Sequence, residues 1–218
     1  MTAHFVHMLD ELQRRSLRMA SLVEDILQEA CESAFEDNER LARRVISRDL
    51  EVDNEEVQIE EETVRLMALY QPVGSDLRLL CTILKVNNDL ERISDCGVNI
   101  AERAKHLEHD AVRNQVEIVR KMAANVRRML RTAIQAYGDQ DADGGQKVLL
   151  EDDVIDAAYA QIIRNVVADA AGKSDSIAAY LDILSIAKNL ERIADHATNI
   201  AEDVVYLSTG EIVRHQQR

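Results

Sequence analysis

The sequence predicts an all-α protein: two tandem repeats of a three-helix bundle, giving six long antiparallel helices packed side by side. Three observations carry this expectation. Apolar residues recur by threes and fours over long stretches, the spacing of a helical stripe. One Pro and seven Gly in 218 residues leave almost no punctuation for strands and tight turns. The stretch "DLERISDCGVNIAE" (89–102) returns one hundred residues later as "NLERIADHATNIAE" (189–202), the mark of a duplicated supersecondary unit.

The first helix is expected from about His4 to Phe35, where Phe5, Leu9, Leu12, Met19, Val23, Ile26 and Ala30 lie on one stripe. A second starts after the capping pair Asp37-Asn38 and runs through Leu41, Val45, Val57, Val64 and Met67 to Tyr70, where Pro72 and Gly74 break it. The third starts at Ser75-Asp76 with Leu79, Ile83, Val86, Leu90, Ile93, Ile100 and Ala104 on its seam. The pattern restarts after "HLEHD" with Val112, Val116, Val119, Val126, Leu130 and Ala133, and stops at "YGDQDADGG", a polar interhelix loop at about 137–145. A fifth helix follows from about Gln146 to Ala171, "AGKSD" breaks it, and a sixth runs from about Asp175 to Ser208. The repeats divide at 1–108 and 109–218, with a frayed polar tail at 209–218.

Composition excludes several classes. Aromatic residues make up 3% of the chain and Trp is absent, so the core must be aliphatic and finely divided. Cys31, Cys81 and Cys96, odd in number and widely spaced, form neither a disulfide framework nor a metal-type Cys-x-x-Cys pair, which favours a reducing cytoplasm. No apolar run approaches the roughly 20 residues that span a bilayer, and "MTAHFVHMLDELQRR" lacks a signal-peptide apolar block. A net charge of -14 works against nucleic-acid binding, in which Lys and Arg neutralise phosphates, and favours cations as guests.

The duplicated motif carries the chemistry. Glu91 and Asp95 are four residues apart and so stand about 40° apart around a helix. Asn99 and Glu102 share that face, as Glu191, Asp195, Asn199 and Glu202 do in the second copy. The apolar seam lies roughly opposite, which turns the acids out of their own bundle. Each middle helix adds a second pair: Asp49 and Asp53 in "RDLEVD", Asp152 and Asp156 in "EDDVID". In an antiparallel hairpin, residues equally far from the turn sit side by side. Asp53 with Glu91 and Asp49 with Asp95 are both centred on Pro72, the predicted turn. Asp156 with Glu191 and Asp152 with Asp195 are centred between Lys173 and Ser174, inside "AGKSD". Each half thus brings four carboxylates to one level. Such a set repels itself unless cations neutralise it, and all-oxygen donors select Mg, Ca, Mn or iron over metals that prefer soft ligands.

These residues resemble the PhoU family of phosphate-uptake regulators over nearly the whole chain, through both Leu-Glu-Arg-Ile-x-Asp segments, both Asp-x-x-x-Asp segments, "LARRVISRDLEVD" and "YQPVGSDLRLL". The resemblance implies two three-helix bundles side by side, with iron or zinc clusters on their surfaces. By position the ligands would be Asp49, Asp53, Glu91 and Asp95, then Asp152, Asp156, Glu191 and Asp195. It also implies a regulator without a reaction of its own. Such a protein restrains the phosphate ABC transporter, by way of its ATPase subunit, and a membrane sensor histidine kinase, staying peripheral to the membrane. A homodimer or higher homo-oligomer is expected. The copies depart from each other at Cys96 and His196, which would give the two sites different metal preferences. Asn99 and Asn199 are open between neutral oxygen ligands and bridges between helices. Arg92 and Arg192 are expected to pair with the acids beside them.

Rival readings are weaker. "DQDADGGQKVLLE" offers EF-hand residues at Asp139, Asp141, Asp143 and Gly144, but Leu150 stands where the loop requires Glu. A ferritin-like, carboxylate-bridged metal store would want Glu-x-x-His pairs aimed into a bundle core, and no His here has Glu three residues before it. A metal-free helical scaffold is the third alternative. No phosphate-binding Gly loop, Gly-x-Ser-x-Gly turn or Cys/His arrangement points to catalysis. Finally, Arg113, Arg120, Arg127 and Arg131 form one stripe on the fourth helix, read either as an answer to neighbouring acidic helices or as a docking surface for a partner or anionic lipid.

Overall fold

The structure, a computed structural model, describes residues 3–108, 110–170 and 176–213. Its helices are α1 (Ala3–Phe35), α2 (Glu39–Tyr70), α3 (Ser75–Ala104), α4 (Arg113–Asp139), α5 (Ala142–Leu149), α6 (Asp152–Ala170) and α7 (Ile177–Thr209), with no strand among the described residues. α1, α2 and α3 pack together, as do α4, α6 and α7, and the bundles meet through α3 on α7 and α1 on α4. The result is a layer in the order α2, α3, α7, α6, backed by α1 and α4.

The ends of the first hairpin follow from local chemistry. Asn38 caps α2 by accepting a hydrogen bond from the Leu41 amide at 3.2 Å. Gln71, in the left-handed conformation at φ 47, closes α2 with its N–H on the Met67 carbonyl. Gly74 (φ 61) then turns the chain into α3, a conformation glycine adopts without steric cost. The break expected at "AGKSD" lies outside the described residues, as do 214–218 of the tail.

The core is aliphatic, as a chain poor in aromatic residues requires. Val23, Ile26, Val45, Ile59, Ile83, Leu90, Ile93, Val126, Ile186, Leu190, Ile193 and Ile200 are fully buried. Phe5, Tyr137 and Tyr180 are the aromatic exceptions, and the Tyr137 hydroxyl is satisfied by Ser16 Oγ at 3.0 Å.

The segment 137–145 departs from the expected polar loop. α4 continues to Asp139, and after a left-handed Gln140 (φ 53) a further short helix begins at Ala142. Asp141 starts α5 by accepting from the Asp143 amide at 3.0 Å, so its carboxylate caps a helix and does not belong to a calcium loop. The fifth predicted helix is likewise two, α5 and α6, divided after Leu149. The glycines that read as loop residues serve close packing. A Cβ on Gly145 would stand 3.0 Å from the Ala201 carbonyl oxygen and 3.2 Å from Val205 Cγ2, so glycine is what lets α5 lie against α7.

The basic stripe of α4 answers α1. Arg120 donates to the Phe35 carbonyl at the end of α1 at 2.7 Å and stands over the Phe35 ring. Arg131 reaches Glu24 at 3.3 Å, and the charge of Arg127 acts on the buried Cys31 thiol. Arg113 turns to Asp110 at 2.9 Å. The Arg120 and Arg131 contacts join one bundle to the other, and Arg131–Glu24 matches the reading of the stripe as a partner to neighbouring acids.

Gly145→Val should lower stability by about 2 kcal/mol, the usual cost of forcing extra atoms into a packed contact. Urea unfolding of the variant beside wild type measures it, and an unchanged midpoint would mean that α5 does not approach α7 this closely.

Candidate functional site

The acidic faces are positioned by three antiparallel contacts. In the first hairpin Ser94 Oγ donates to Asp49 Oδ1 at 3.1 Å and Asn87 Nδ2 donates to the Glu56 carbonyl at 2.9 Å, which sets α2 and α3 in the register centred near Pro72. In the second, Lys188 lies over the Tyr159 ring, centred between residues 173 and 174, and Thr198 Oγ1 donates to Asp152 Oδ1 at 3.2 Å. The third contact is α3 on α7. Lys85 pairs with the buried Asp203 at 2.8 Å, Arg103 with Asp182 at 3.4 Å, and Asp89 accepts from Asn199 Nδ2 at 3.3 Å. These pairs run α3 and α7 in opposite directions, so the two copies of the motif meet back to back near the middle of both helices.

The level-matched carboxylates act on one another. Burial first, then the charges of Asp53 and Asp95, push the Asp49 carboxyl above its ordinary range, opposed by the Ser94 hydroxyl. Glu91 is raised by burial and by Asp95, with Glu56 and Asp53 adding and Arg92 opposing. In the second set, burial and Asp156 raise Asp152, with Glu191 contributing. Burial, Glu191, Asp152 and Asp156 push Asp195 from 3.8 up to about 6, against the pull of Lys188. Each predicted set of four is therefore an interacting group, and the first gains a fifth member in Glu56, itself raised by burial, Glu60 and Asp53.

Two cations stand in these clusters. Arg92 reaches Glu91 at 3.3 Å and Asp95 at 3.2 Å, as the motif suggested. In the second copy the partner is Lys188, 2.5 Å from Glu191, whereas the Arg192 side chain is exposed and its charge, like that of Arg92, acts on the Cys96 thiol. Among the described residues no three His, Cys, Asp or Glu side chains are disposed to hold a metal ion as they stand. The donor set suits a hard cation in its chemistry, all oxygen and mutually repelling.

The auxiliary residues divide. Asn99 and Glu102 are exposed on the open side of α3. Asn199 bridges to Asp89 across the bundle interface, which favours its reading as a helix bridge, and Glu202 is half-buried beside it on α7. The Cys96/His196 difference is one of surroundings: the charges of Asp95 and Glu91 reach the Cys96 thiol, while His196 faces Asp89 across the bundle interface. Cys96 is fully buried, and burial pushes its thiol up to about 11. His196 Nδ1 sits 2.8 Å from Asp89 Oδ1. The Asp89–His196–Asn199 network escaped the sequence, although two polar residues three apart on α7 were a usable signal for a shared partner.

Fold and face together define a class: tandem three-helix bundles that display paired carboxylate clusters about a pseudo-twofold contact. A PhoU domain matches residues 16–104 and again 119–204, one copy to each bundle. The chain belongs to the PhoU family. It is 39% identical to a phosphate-specific transport system accessory protein PhoU homolog of Pseudomonas putida, over 95% of this chain and 81% of that one. A Thermotoga maritima protein named PhoU homolog 1 of the same system is 35% identical over 95% of this chain and 90% of its own length. The crystal structure of PhoU from Pseudomonas aeruginosa superposes with a TM-score of 0.92 at 35% identity, covering 95% of this chain and all of that one. The PhoU structure from Streptococcus pneumoniae gives 0.87 at 29% identity, covering 96% and 99%. Both curated relatives are named as accessory proteins, and the family is a regulatory one, not one of enzymes.

The raised carboxyls fix a pH dependence. A group held above its unfolded value contributes stability that is fully present below the unfolded value and is lost as pH rises through the folded one. For Asp195 that loss falls between 3.8 and about 6. In chelator, Asp195→Asn should melt higher than wild type at pH 7 and lose this advantage by about pH 4. An equal or lower melting temperature at pH 7 would mean that Asp195 is solvated apart from its neighbours.

Proposed function

We propose that this chain regulates phosphate uptake and phosphate-starvation signalling as an accessory protein of a phosphate-specific transport system. In this reading it works in the cytoplasm, at the membrane surface, restraining the transporter through its ATPase subunit and linking it to a sensor histidine kinase. The observation that carries the proposal is the PhoU match to both bundles, together with relatives named for that transport system. No helix among the described residues is long and apolar enough to cross a membrane, which agrees with peripheral action.

The acid clusters serve in this reading as cation sites: Asp49, Asp53, Glu91 and Asp95 in one bundle, Asp152, Asp156, Glu191 and Asp195 in the other. A bound hard cation would supply positive charge that offsets carboxylate repulsion. The chain's own part is to hold the four acids of each hairpin at one level, through the Ser94–Asp49 and Thr198–Asp152 hydrogen bonds, on the side facing away from the apolar seam. That outward placement counts against ferritin-like storage. The ion pairs of Arg92 and Lys188 favour the metal-free scaffold as the second reading, since they already neutralise part of the charge.

Deleting the gene should derepress phosphate-starvation genes in phosphate-rich medium, and copurification should recover the transporter ATPase or the kinase. Unchanged expression would end the regulatory reading. Glu91→Gln with Asp95→Asn should remove metal from the first bundle and leave the second loaded, by elemental analysis of protein purified without chelator. Metal-free wild-type protein would instead establish the scaffold.

A further inference from the structure

Exposed apolar side chains are concentrated on the layer α2, α3, α7, α6. The helices behind it, α1 and α4, contribute only Val6 to the large apolar residues left exposed among the described residues. On α7 the steps 177, 181, 184, 188, 191 and 195 keep one face, so exposed Ile177 and Leu181 lie on the same side as Glu191 and Asp195. On α6 the exposed Ile163 and Val167 follow Asp156 at helical spacing. In the register centred between residues 173 and 174, Ile163 stands level with Leu184, and Val167 with position 180, one residue from Leu181. The four make one patch, next to the acids and nearer the hairpin turn, and Val167 and Leu181 are 66% and 62% accessible. The first hairpin repeats it in reduced form: Val64 stands where the second copy has Val167, and Leu77 where it has Ile177, both exposed. Because α3 and α7 are antiparallel, the two patches lie toward opposite ends of the layer, and the acids of both copies form a band between them.

We propose that this face of the second hairpin docks a basic amphipathic helix of another protein, which lays its apolar residues on Ile163, Val167, Ile177 and Leu181 and its Lys or Arg residues over the acid band. A contiguous apolar patch rimmed by charge is the usual mark of an interaction surface, and an amphipathic helix in the groove between two helices is a common way to fill one. Charge selects the occupant. A second copy of this chain meeting the same face would set acid band on acid band, which like-charge repulsion disfavours, and an anionic membrane or a nucleic acid is repelled for the same reason. Arg92, Arg192 and Lys188 offset only part of the charge of the eight carboxylates in the two sets. Spacing adds a further requirement. Leu184 and Leu181 precede Glu191 by seven and ten residues, about 10 and 15 Å along a helix, so the partner must carry its cations about two to three turns from its apolar residues. The docking needs neither a bound cation nor the phosphate-transport role, and takes the acids as free carboxylates.

Two labelled synthetic helical peptides of equal length are the probes, read by fluorescence anisotropy with the full chain in chelator. One carries Leu along one face and Arg about two to three turns beyond; the other has Glu in place of Arg. The Arg peptide should bind and the Glu peptide should not. Val167→Ser with Leu181→Ser should weaken the Arg peptide by about tenfold or more. Asp156→Asn with Asp195→Asn should weaken it by about fivefold and flatten its dependence on salt. Val6→Ser removes an exposed apolar side chain from α1 and should change nothing. Val167, Leu181 and Val6 are all exposed, so these variants keep their fold, which circular dichroism checks. No binding of the Arg peptide, equal binding of the Glu peptide, or a Val167→Ser/Leu181→Ser protein that binds like Val6→Ser would each overturn the inference. Sedimentation velocity of the chain alone supplies the remaining arm: self-association that disappears in the Val167→Ser/Leu181→Ser protein would mean that a second copy covers the patch, which also overturns it. None of these outcomes alters the gene-expression or metal-content results that decide the regulatory and cation readings.

Discussion

The antiparallel contact of α3 on α7 is the constraint on which the rest of the molecule depends. It joins the two bundles through Lys85–Asp203, Arg103–Asp182 and the Asp89–His196–Asn199 network. Because the two helices run in opposite directions, two copies of one motif are brought to the same level about a pseudo-twofold axis. The seam residues Val86, Leu90, Ile93, Ile186, Leu190 and Ile193 are fully buried around it, and burying such side chains is the dominant favourable term in folding. Once this contact is made, Glu91 and Asp95 on one side and Glu191 and Asp195 on the other must stand toward α2 and α6, where the remaining acids wait.

That arrangement sets two forces against each other. Helix packing holds carboxylates in mutual reach, and their charges oppose it, as the raised Asp49, Glu91, Asp152 and Asp195 carboxyls show. Hydroxyls from Ser94 and Thr198 and the cations Arg92 and Lys188 offset part of the repulsion. The surplus negative charge is what a cation would meet, and it arises from backbone geometry that the apolar seam enforces independently. A stable scaffold thereby carries a locally unfavourable surface, the usual relation between a fold and its functional site.

Much of this is legible in the sequence, because long helices are governed by periodicity and hairpins by equal spacing about the turn. Helix one, the Asn38 cap, the turn at Pro72 and the level of the four acids in each half all followed from spacing. The segment 137–145 did not, since Gly144 and Gly145 read as loop until α7 is seen to approach within Cβ distance. Pairing across α3 and α7 was also hidden. Asp89, His196 and Asn199 meet only because the bundles are antiparallel to each other, a tertiary fact that no local pattern in either copy contains. The same cause sends His196 to the interface, where it meets Asp89.

The central claim is that each hairpin stores carboxylate repulsion that a cation relieves. Thermal melting of chelator-stripped protein at pH 7 across a series of Mn2+ concentrations tests it most directly. A ligand that binds the folded chain raises stability by RT ln(1 + [L]/Kd), so the melting temperature should climb steadily with Mn2+, and the climb should vanish when all eight carboxylates, Asp49, Asp53, Glu91, Asp95, Asp152, Asp156, Glu191 and Asp195, are replaced by their amides. A melting temperature that ignores Mn2+ in the wild-type protein would contradict the account.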